Sequence, residues 1–462
     1  MKYDNDRLGA ALKMYLGTEP LPMHMPGHKR NTDVISDAFS RDITEISGFD
    51  NLHSPSGLLK DLEDAAATLW NMDRAYCSVG GATAMLLSAV CASAICNPNS
   101  EVLVAMNCHL SVWNALALAG SKVVPLMPAF DPQFPFSGPV TPAEIENILV
   151  RNPGIKTVII TSPTYEGVIS DTEQIYKITK RYDACLITDC AHGAHLGLDD
   201  SFFGPDAAGD IVIKSLHKTL NAPTQTAVML TSKDCPVPAG VIMNFIDIFE
   251  TTSPSYVLLG GISRCVASLT KGKEIMKPWE AGIAYAESEL SGLKNYKLWK
   301  APCRERSKLV ILGDGIKLAT NLRCDYNVEC EAAFATHLIA MTGIGDTEDS
   351  IKRFCDAVIR LDELQDNEPA EPEKSFMGRP QPRFLTTVRD AYLRGMTAEE
   401  APLEESCGMI AGEFLFAYPP GVPLLIPGEM ITDQTIQFAR KAGSDLFMNG
   451  RRSFDGKIKV LP

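Results

Sequence analysis

Between residues 101 and 231 the chain alternates short apolar, β-rich runs with stretches of helical periodicity, and this pattern limits the fold more than any other feature. The runs fall at 101–106, 122–126, 157–161, 185–189, 211–215 and 227–231. Residues 83–94, 111–118, 141–150 and 171–181 repeat apolar side chains at the three-to-four spacing of a helix. Strands alternating with helices make an α/β architecture, a mainly parallel sheet covered on both faces. Too few residues separate Ser215 from Ala227 for a helical crossover, so the last strand is expected to run antiparallel to its neighbour. Ligands of such sheets bind beyond the carboxyl ends of the strands.

Two of these strand ends carry complementary chemistry. One run ends in Asp189, and another leads through Ser215, Leu216 and His217 to Lys218. An amine and a carboxylate so placed suit pyridoxal 5'-phosphate (PLP): the amine bonds to the cofactor, and the carboxylate keeps the pyridine nitrogen protonated so that the ring accepts electrons. Asp189 could instead cap a helix, but its strand-end position favours the cofactor. His192, Ser215 and His217 lie at the same edge, where a hydroxyl and an imidazole N–H can hold a phosphate or fix the lysine. Lys214, close by, reads as an ordinary solvated lysine.

A phosphate also needs backbone N–H groups at a helix start. Ser78-Val79-Gly80-Gly81-Ala82-Thr83-Ala84 follows a strand-like run at 75–79 and opens the helix expected at 83–94. Its two glycines allow close backbone approach, and Thr83 adds a hydroxyl. His109, in Asn107-Cys108-His109-Leu110-Ser111, either stacks on the ring or caps the helix it precedes. His24 and His28 are spaced for a metal, but Pro26-Gly27 breaks the helix that would align them and no companion cluster follows, so no metal is expected.

Composition narrows the class further. At 462 residues the chain exceeds one ordinary core. The pattern changes after residue 285, so we expect a large cofactor-binding domain at 1–285 and a smaller C-terminal α+β domain at 286–462. A helix at 278–293 leads into the latter, which has strands near 308–312 and 326–330 and an amphipathic helix at 347–364, and includes an acidic, proline-rich linker at 366–373. A net charge of −14 argues against nucleic acid as a partner. No apolar run reaches the roughly 20 residues of a membrane span, and no signal-type segment follows Met1, so a cytoplasmic location is expected. The thirteen cysteines show no CxxC spacing and read as core residues of a reducing compartment. Seven of the eight histidines precede Lys218.

With these residues in view, the chain resembles the Orn/Lys/Arg decarboxylase family, in its short form without an N-terminal wing domain. The matching stretches are His24-Met25-Pro26-Gly27-His28-Lys29, Asp42-Ile43-Thr44-Glu45-Ile46, Asn107-Cys108-His109, Asp189 to His195, Ser215-Leu216-His217-Lys218-Thr219-Leu220, Thr251-Thr252-Ser253-Pro254-Ser255-Tyr256, and Tyr418-Pro419-Pro420-Gly421-Val422-Pro423 through Pro427-Gly428-Glu429. The resemblance implies an aspartate aminotransferase-like fold (fold type I) and PLP-dependent decarboxylation of arginine, lysine or ornithine to the amine and CO2. Lys218 would then be the Schiff-base lysine, Asp189 the pyridinium partner and His109 the stacking ring. Gly81, Ala82, Thr83, Ser215 and His217 would hold the phosphate, with His192 beside the cofactor. A hydroxyl of Thr251 or Thr252 would reach the phosphate of a second subunit in a homodimer, and Glu429 would face the substrate's cationic side chain. The chain departs from the family pattern at Asn51, Ser56, Gly80, Leu110, Cys190 and Met409. An aminotransferase or lyase reaction, or a non-catalytic regulatory relative, would keep the same lysine and aspartate or the same fold.

Overall fold

After a short strand, β1 (Leu21–Met23), the chain builds a seven-stranded sheet. Its strands are β2 (Arg74–Ser78), β3 (Glu101–Ala105), β4 (Lys122–Leu126), β5 (Ile155–Thr161), β6 (Cys185–Asp189), β7 (Ile211–Ser215) and β8 (Ala227–Thr231), in the order β2-β8-β7-β6-β5-β3-β4. Only β8 runs against its neighbours, as the short connection after β7 requires. The computed structural model describes residues 17–29, 38–129, 135–364, 379–417, 421–441, 446–448 and 454–462. The expected acidic linker at 366–373 and the Tyr418-Pro419-Pro420 part of the proline loop lie outside them. No helix among the described residues is long and apolar enough to cross a membrane.

Alternation along each strand divides the sheet between two cores. In β7, Ile211 and Ile213 join one apolar cluster while Val212 joins the other. The covering helices include α1 (Leu58–Leu69), α2 (Gly81–Cys96), α3 (Leu110–Ala119), α4 (Pro142–Arg151) and α5 (Thr172–Arg181). Helix α4 begins at the capping box of Thr141 and Glu144 with Pro142 in its first turn, and α5 is capped by Asp171. Lys218 sits on α6 (Leu216–Thr219), a single turn leaving β7.

Lys214 corrects the sequence reading. Its side chain is fully buried, with Nζ bonded to Asp206 and, at 3.1 Å, to the Gly193 carbonyl. A strand enclosed on both faces leaves no route to solvent, so the lysine's charge has to be met inside. Burial works against that charge, but Asp206 and then Cys190 overcome it and hold the Lys214 pKa above its ordinary value.

The chain past residue 290 forms β9 (Lys297–Leu298), β10 (Lys308–Leu312), β11 (Val328–Cys330), β12 (Ala332–Ala333) and β13 (His337–Met341). An antiparallel sheet takes the order β12-β13-β10-β9, while β11 pairs in parallel with β1. The expected helix at 347–364 is present as Glu348–Glu363, capped by Thr347. A separate apolar cluster, including Leu403, Leu415, Leu425, Ile431 and Ile458, closes the C-terminal portion.

Three backbones meet behind Lys218. Gly27 N–H donates to the His217 carbonyl at 2.8 Å, Ile344 N–H to the Thr219 carbonyl at 2.9 Å, and Gly345 N–H to the Gly27 carbonyl at 3.0 Å. A Cβ on Gly27 would lie 2.6 Å from the Thr219 carbonyl carbon, so only glycine fits this crossing. We expect Gly27→Ala to lose ~1–3 kcal/mol of stability through overpacking, read by denaturant or thermal unfolding. Gly240→Ala, at a helix position with nothing within 4 Å of the added methyl, should be neutral or stabilising by up to about 1 kcal/mol.

Candidate active site

The carboxyl ends of β5, β6 and β7 converge on Lys218. Its Nζ lies 2.9 Å from Nε2 of His192, in the loop that follows β6. Burial pushes the Lys218 amine down to about 8; Lys308 acts in the same direction, while Asp189 and Glu331 oppose it. Burial also pushes His192 well below its ordinary value, His109 down to about 4 and His217 down to about 4, with Lys218 adding to each. Three neutral imidazoles therefore surround the amine at neutral pH. With its proton on Nδ1, the His192 ring accepts from the lysine at Nε2, and Nδ1 is left buried without a partner among the described residues.

Asp189 is 3% exposed, and its Oδ1 accepts from the Ala191 N–H at 3.1 Å. No helix follows it, so it caps none. Burial raises its pKa, against the pull of Lys218 and the Ala191 N–H. A buried carboxylate in this state gains from any additional cationic or N–H partner.

Helix α2 opens with no side-chain cap, and Gly81 takes the left-handed φ of +74° that turns the chain into it. The N–H groups of Gly81, Ala82 and Thr83 thus face outward from a helix start, ready for an anion. Thr83 Oγ1 contacts Ser111 Oγ at 3.2 Å, which in turn bonds His109 Nδ1 at 2.7 Å. His109 caps α3 by accepting from the Ser111 N–H, so the capping reading of this residue is realised and its ring is held in place by that bond. Ser215 is buried, and its hydroxyl has no hydrogen bond among the described residues; His217 Nδ1 lies 3.2 Å from the Thr226 carbonyl. Uncapped N–H groups, a spare hydroxyl, a buried carboxylate and an orphaned imidazole nitrogen are what a phosphorylated, nitrogen-protonated ring requires.

Three expected residues stand apart from this cluster. Thr251 and Thr252 are exposed, beyond Glu250. Glu429 is 1% exposed and already carries a cationic partner, since Arg379 Nη2 donates to its Oε2 at 3.0 Å. The segment bearing them reaches α3 through the Leu110 N–H bond to the Gly421 carbonyl and the stacking of Phe384 on Trp113.

Two of the family departures have local explanations. At Cys190, one of the departures, the neighbouring cation Lys214 is matched by Asp206. Gly80 stands where asparagine is common: its N–H and the Ser78 hydroxyl both donate to Glu250, and a Cβ on Gly80 would meet the Glu250 carboxylate at 3.0 Å.

Sequence reasoning missed a second layer. Lys308 is fully buried, with Nζ 2.9 Å from Glu305 Oε2 and 3.4 Å from the His192 carbonyl. Glu305 Oε1 meets His195 Nε2 at 2.8 Å, and His195 Nδ1 meets Thr219 Oγ1 at 3.1 Å. These contacts run from β10 back to both sides of Lys218. The one signal available was a lysine heading the apolar run Lys308-Leu309-Val310-Ile311-Leu312. Tyr165, Glu331 and Ser111 carried no signal, because each joins the site only through folding.

The family model for the Orn/Lys/Arg decarboxylase major domain matches residues 8–297, and that for the Orn/Lys/Arg decarboxylase C-terminal domain matches residues 373–442. The arginine decarboxylase of Bacillus anthracis is 28% identical over 462 residues, covering 94% of this chain and 92% of that protein. The crystal structure of the Francisella novicida lysine decarboxylase LdcF superposes with a TM-score of 0.74 at 16% identity, covering 95% of this chain and 78% of that one. The alanine–glyoxylate aminotransferase of Nostoc sp. superposes with a TM-score of 0.56 at 13% identity, covering 74% of this chain and 95% of that one, so the two share a fold.

The surroundings of Lys218 predict its reactivity. In the protein without added cofactor, acylation of Lys218 followed by mass spectrometry should reach half its maximal rate near pH 8, the value to which burial pushes the amine. Asp189→Asn should lower that midpoint by removing an opposing negative charge. Lys308→Met should raise it by removing a positive one.

Proposed function

The chain belongs to the Orn/Lys/Arg decarboxylase family, and from that premise we propose that it binds PLP at Lys218 and decarboxylates a basic amino acid to the amine and CO2. The observation that carries this reading is a buried, partly deprotonated Lys218 set 2.9 Å from a neutral His192 and within the field of the buried Asp189. Bound there, PLP supplies a ring that takes up the electron pair left at the α-carbon when CO2 departs.

The protein's own groups do the rest. Lys218 carries the cofactor; its lowered pKa leaves part of the amine unprotonated near neutral pH, the form that bonds to a carbonyl. Asp189 holds the proton at the pyridine nitrogen by charge pairing in a site shielded from water. His109, locked by Ser111, supports the ring face. The N–H groups of Gly81, Ala82 and Thr83 hold the phosphate with Ser215 and His217. Lys218 and His192 lie close enough to each other for either to hold the proton that returns to the α-carbon. Glu429 belongs to the substrate side of this reading as an acidic group that Arg379 already neutralises.

The same proposal makes the enzyme a cytoplasmic homodimer in which Thr251 or Thr252, exposed on one chain, completes the phosphate site of the other. No cysteine among the described residues forms a disulfide, which suits a reducing compartment. The division into a cofactor-binding unit at 1–285 and a smaller unit at 286–462 is part of this reading.

Incubating the protein and PLP with arginine, lysine and ornithine, arginine first because the Bacillus anthracis relative bears that name, should release CO2 and the amine without a keto acid. A keto acid as product would overturn the reaction class. Lys218→Ala should abolish both turnover and the cofactor's long-wavelength absorbance band, with activity falling by at least about 10³-fold, measured as CO2 release.

A further inference from the structure

We propose that Glu331 is the carboxylate that receives the cationic end of the substrate side chain. This rests on the decarboxylase reading above and names the residue that sets its substrate class.

Glu331 follows β11 and is held from two sides. Its Oε2 accepts from the Met25 N–H at 2.8 Å, and its Oε1 accepts from the Tyr165 hydroxyl at 3.0 Å. The Tyr165 ring stands edge-on to His192, with centroids 5.4 Å apart, and His192 in turn contacts Lys218 at 2.9 Å. The loop bearing Met25 is tied to the turn of Lys218 through the Gly27 bond to His217. Both supports of Glu331 therefore belong to the wall of the Lys218 site.

Charge sets this residue apart. Glu331 is half-buried and makes no ion pair among the described residues. Lys29, whose charge Glu331 helps to support, is ion-paired with Asp346 and donates to two backbone carbonyls, and Lys308 is paired with Glu305. Among the described residues, Asp189 and Glu331 are the carboxylates that act on the charge of Lys218, and Asp189 is committed to the ring nitrogen in the reading above. Each Glu331 oxygen accepts a single hydrogen bond, which leaves acceptor capacity for an ammonium or guanidinium group. Glu429, the acidic group expected from sequence, lacks this freedom because Arg379 holds it.

The experiment compares wild type, Glu331→Gln and Glu331→Asp, each loaded with PLP. It measures KM and kcat for arginine, lysine and ornithine, the inhibition constant of citrulline as the uncharged counterpart of arginine, the cofactor absorbance band, and the melting temperature. In Glu331→Gln, KM for the cationic substrates should rise about 10- to 100-fold with a smaller change in kcat. Citrulline binding, the absorbance band and the melting temperature should stay as in wild type. Glu331→Asp, which withdraws the charge by one methylene, should shift preference toward the longer cationic substrate. Unchanged KM values in Glu331→Gln would overturn the proposal. So would a loss of folding or cofactor in Glu331→Gln joined to an unaltered substrate preference in Glu331→Asp, since Glu331 would then only brace Met25 and Tyr165. A wild type that releases CO2 from none of the three fails the decarboxylase reading instead. Glu331 is then judged by whether Glu331→Gln weakens the effect of arginine, but not of citrulline, on the cofactor band.

Discussion

Lys218 is placed by charge that has been taken out of water. A lone buried ion costs several kcal/mol, so each must be answered by another. Lys308 is answered by Glu305, and Glu305 by His195 as well. Burial alone would raise the Glu305 carboxyl, but Lys308 and His195 hold it well below the usual carboxylate range. The set touches the His192 carbonyl at one end and Thr219 at the other. The turn bearing Lys218 is thus fixed from both sides by residues more than eighty positions further along the chain, and neither part of the molecule makes this cluster alone.

The same burial sets the electrostatics of the site. Desolvation keeps His109, His192 and His217 neutral and lowers the lysine, so the amine and three imidazoles coexist without mutual repulsion. Burial raises the Asp189 carboxyl, and in the proposed reading a protonated ring nitrogen would partner it. Two of the departures from the family pattern, at Cys190 and Gly80, follow the same rule of local pairing. With Cys190 offering no charge, Lys214 finds Asp206; with Glu250 turned onto the Ser78–Gly80 turn, a side chain at Gly80 has no room.

Much of this was legible before folding was considered. The strand runs were read to within one or two residues of their observed bounds, because period-two and period-3.6 patterns are local. The reversal of β8 followed from a chain length. Lys214 was misread because a lysine in a strand looks solvated unless both faces of the strand are known to be covered. Glu305, Lys308 and Glu331 were passed over because charged residues in a smaller, second region resemble surface. Glu429 was read as open to substrate because nothing in its own motif reveals Arg379.

The sequence by itself determined the parallel sheet, the strand-end positions of Asp189 and Lys218, the glycine-rich start of α2 and the family, since each is written in a short stretch of chain. Only the tertiary structure decided which charges are buried together. It brought Lys308 and Glu305 behind His192, gave Arg379 to Glu429, and left Glu331 at the Lys218 wall outside every ion pair among the described residues. Such pairings join residues far apart in the chain, and desolvation, which sets their strength, exists only once the core has closed around them.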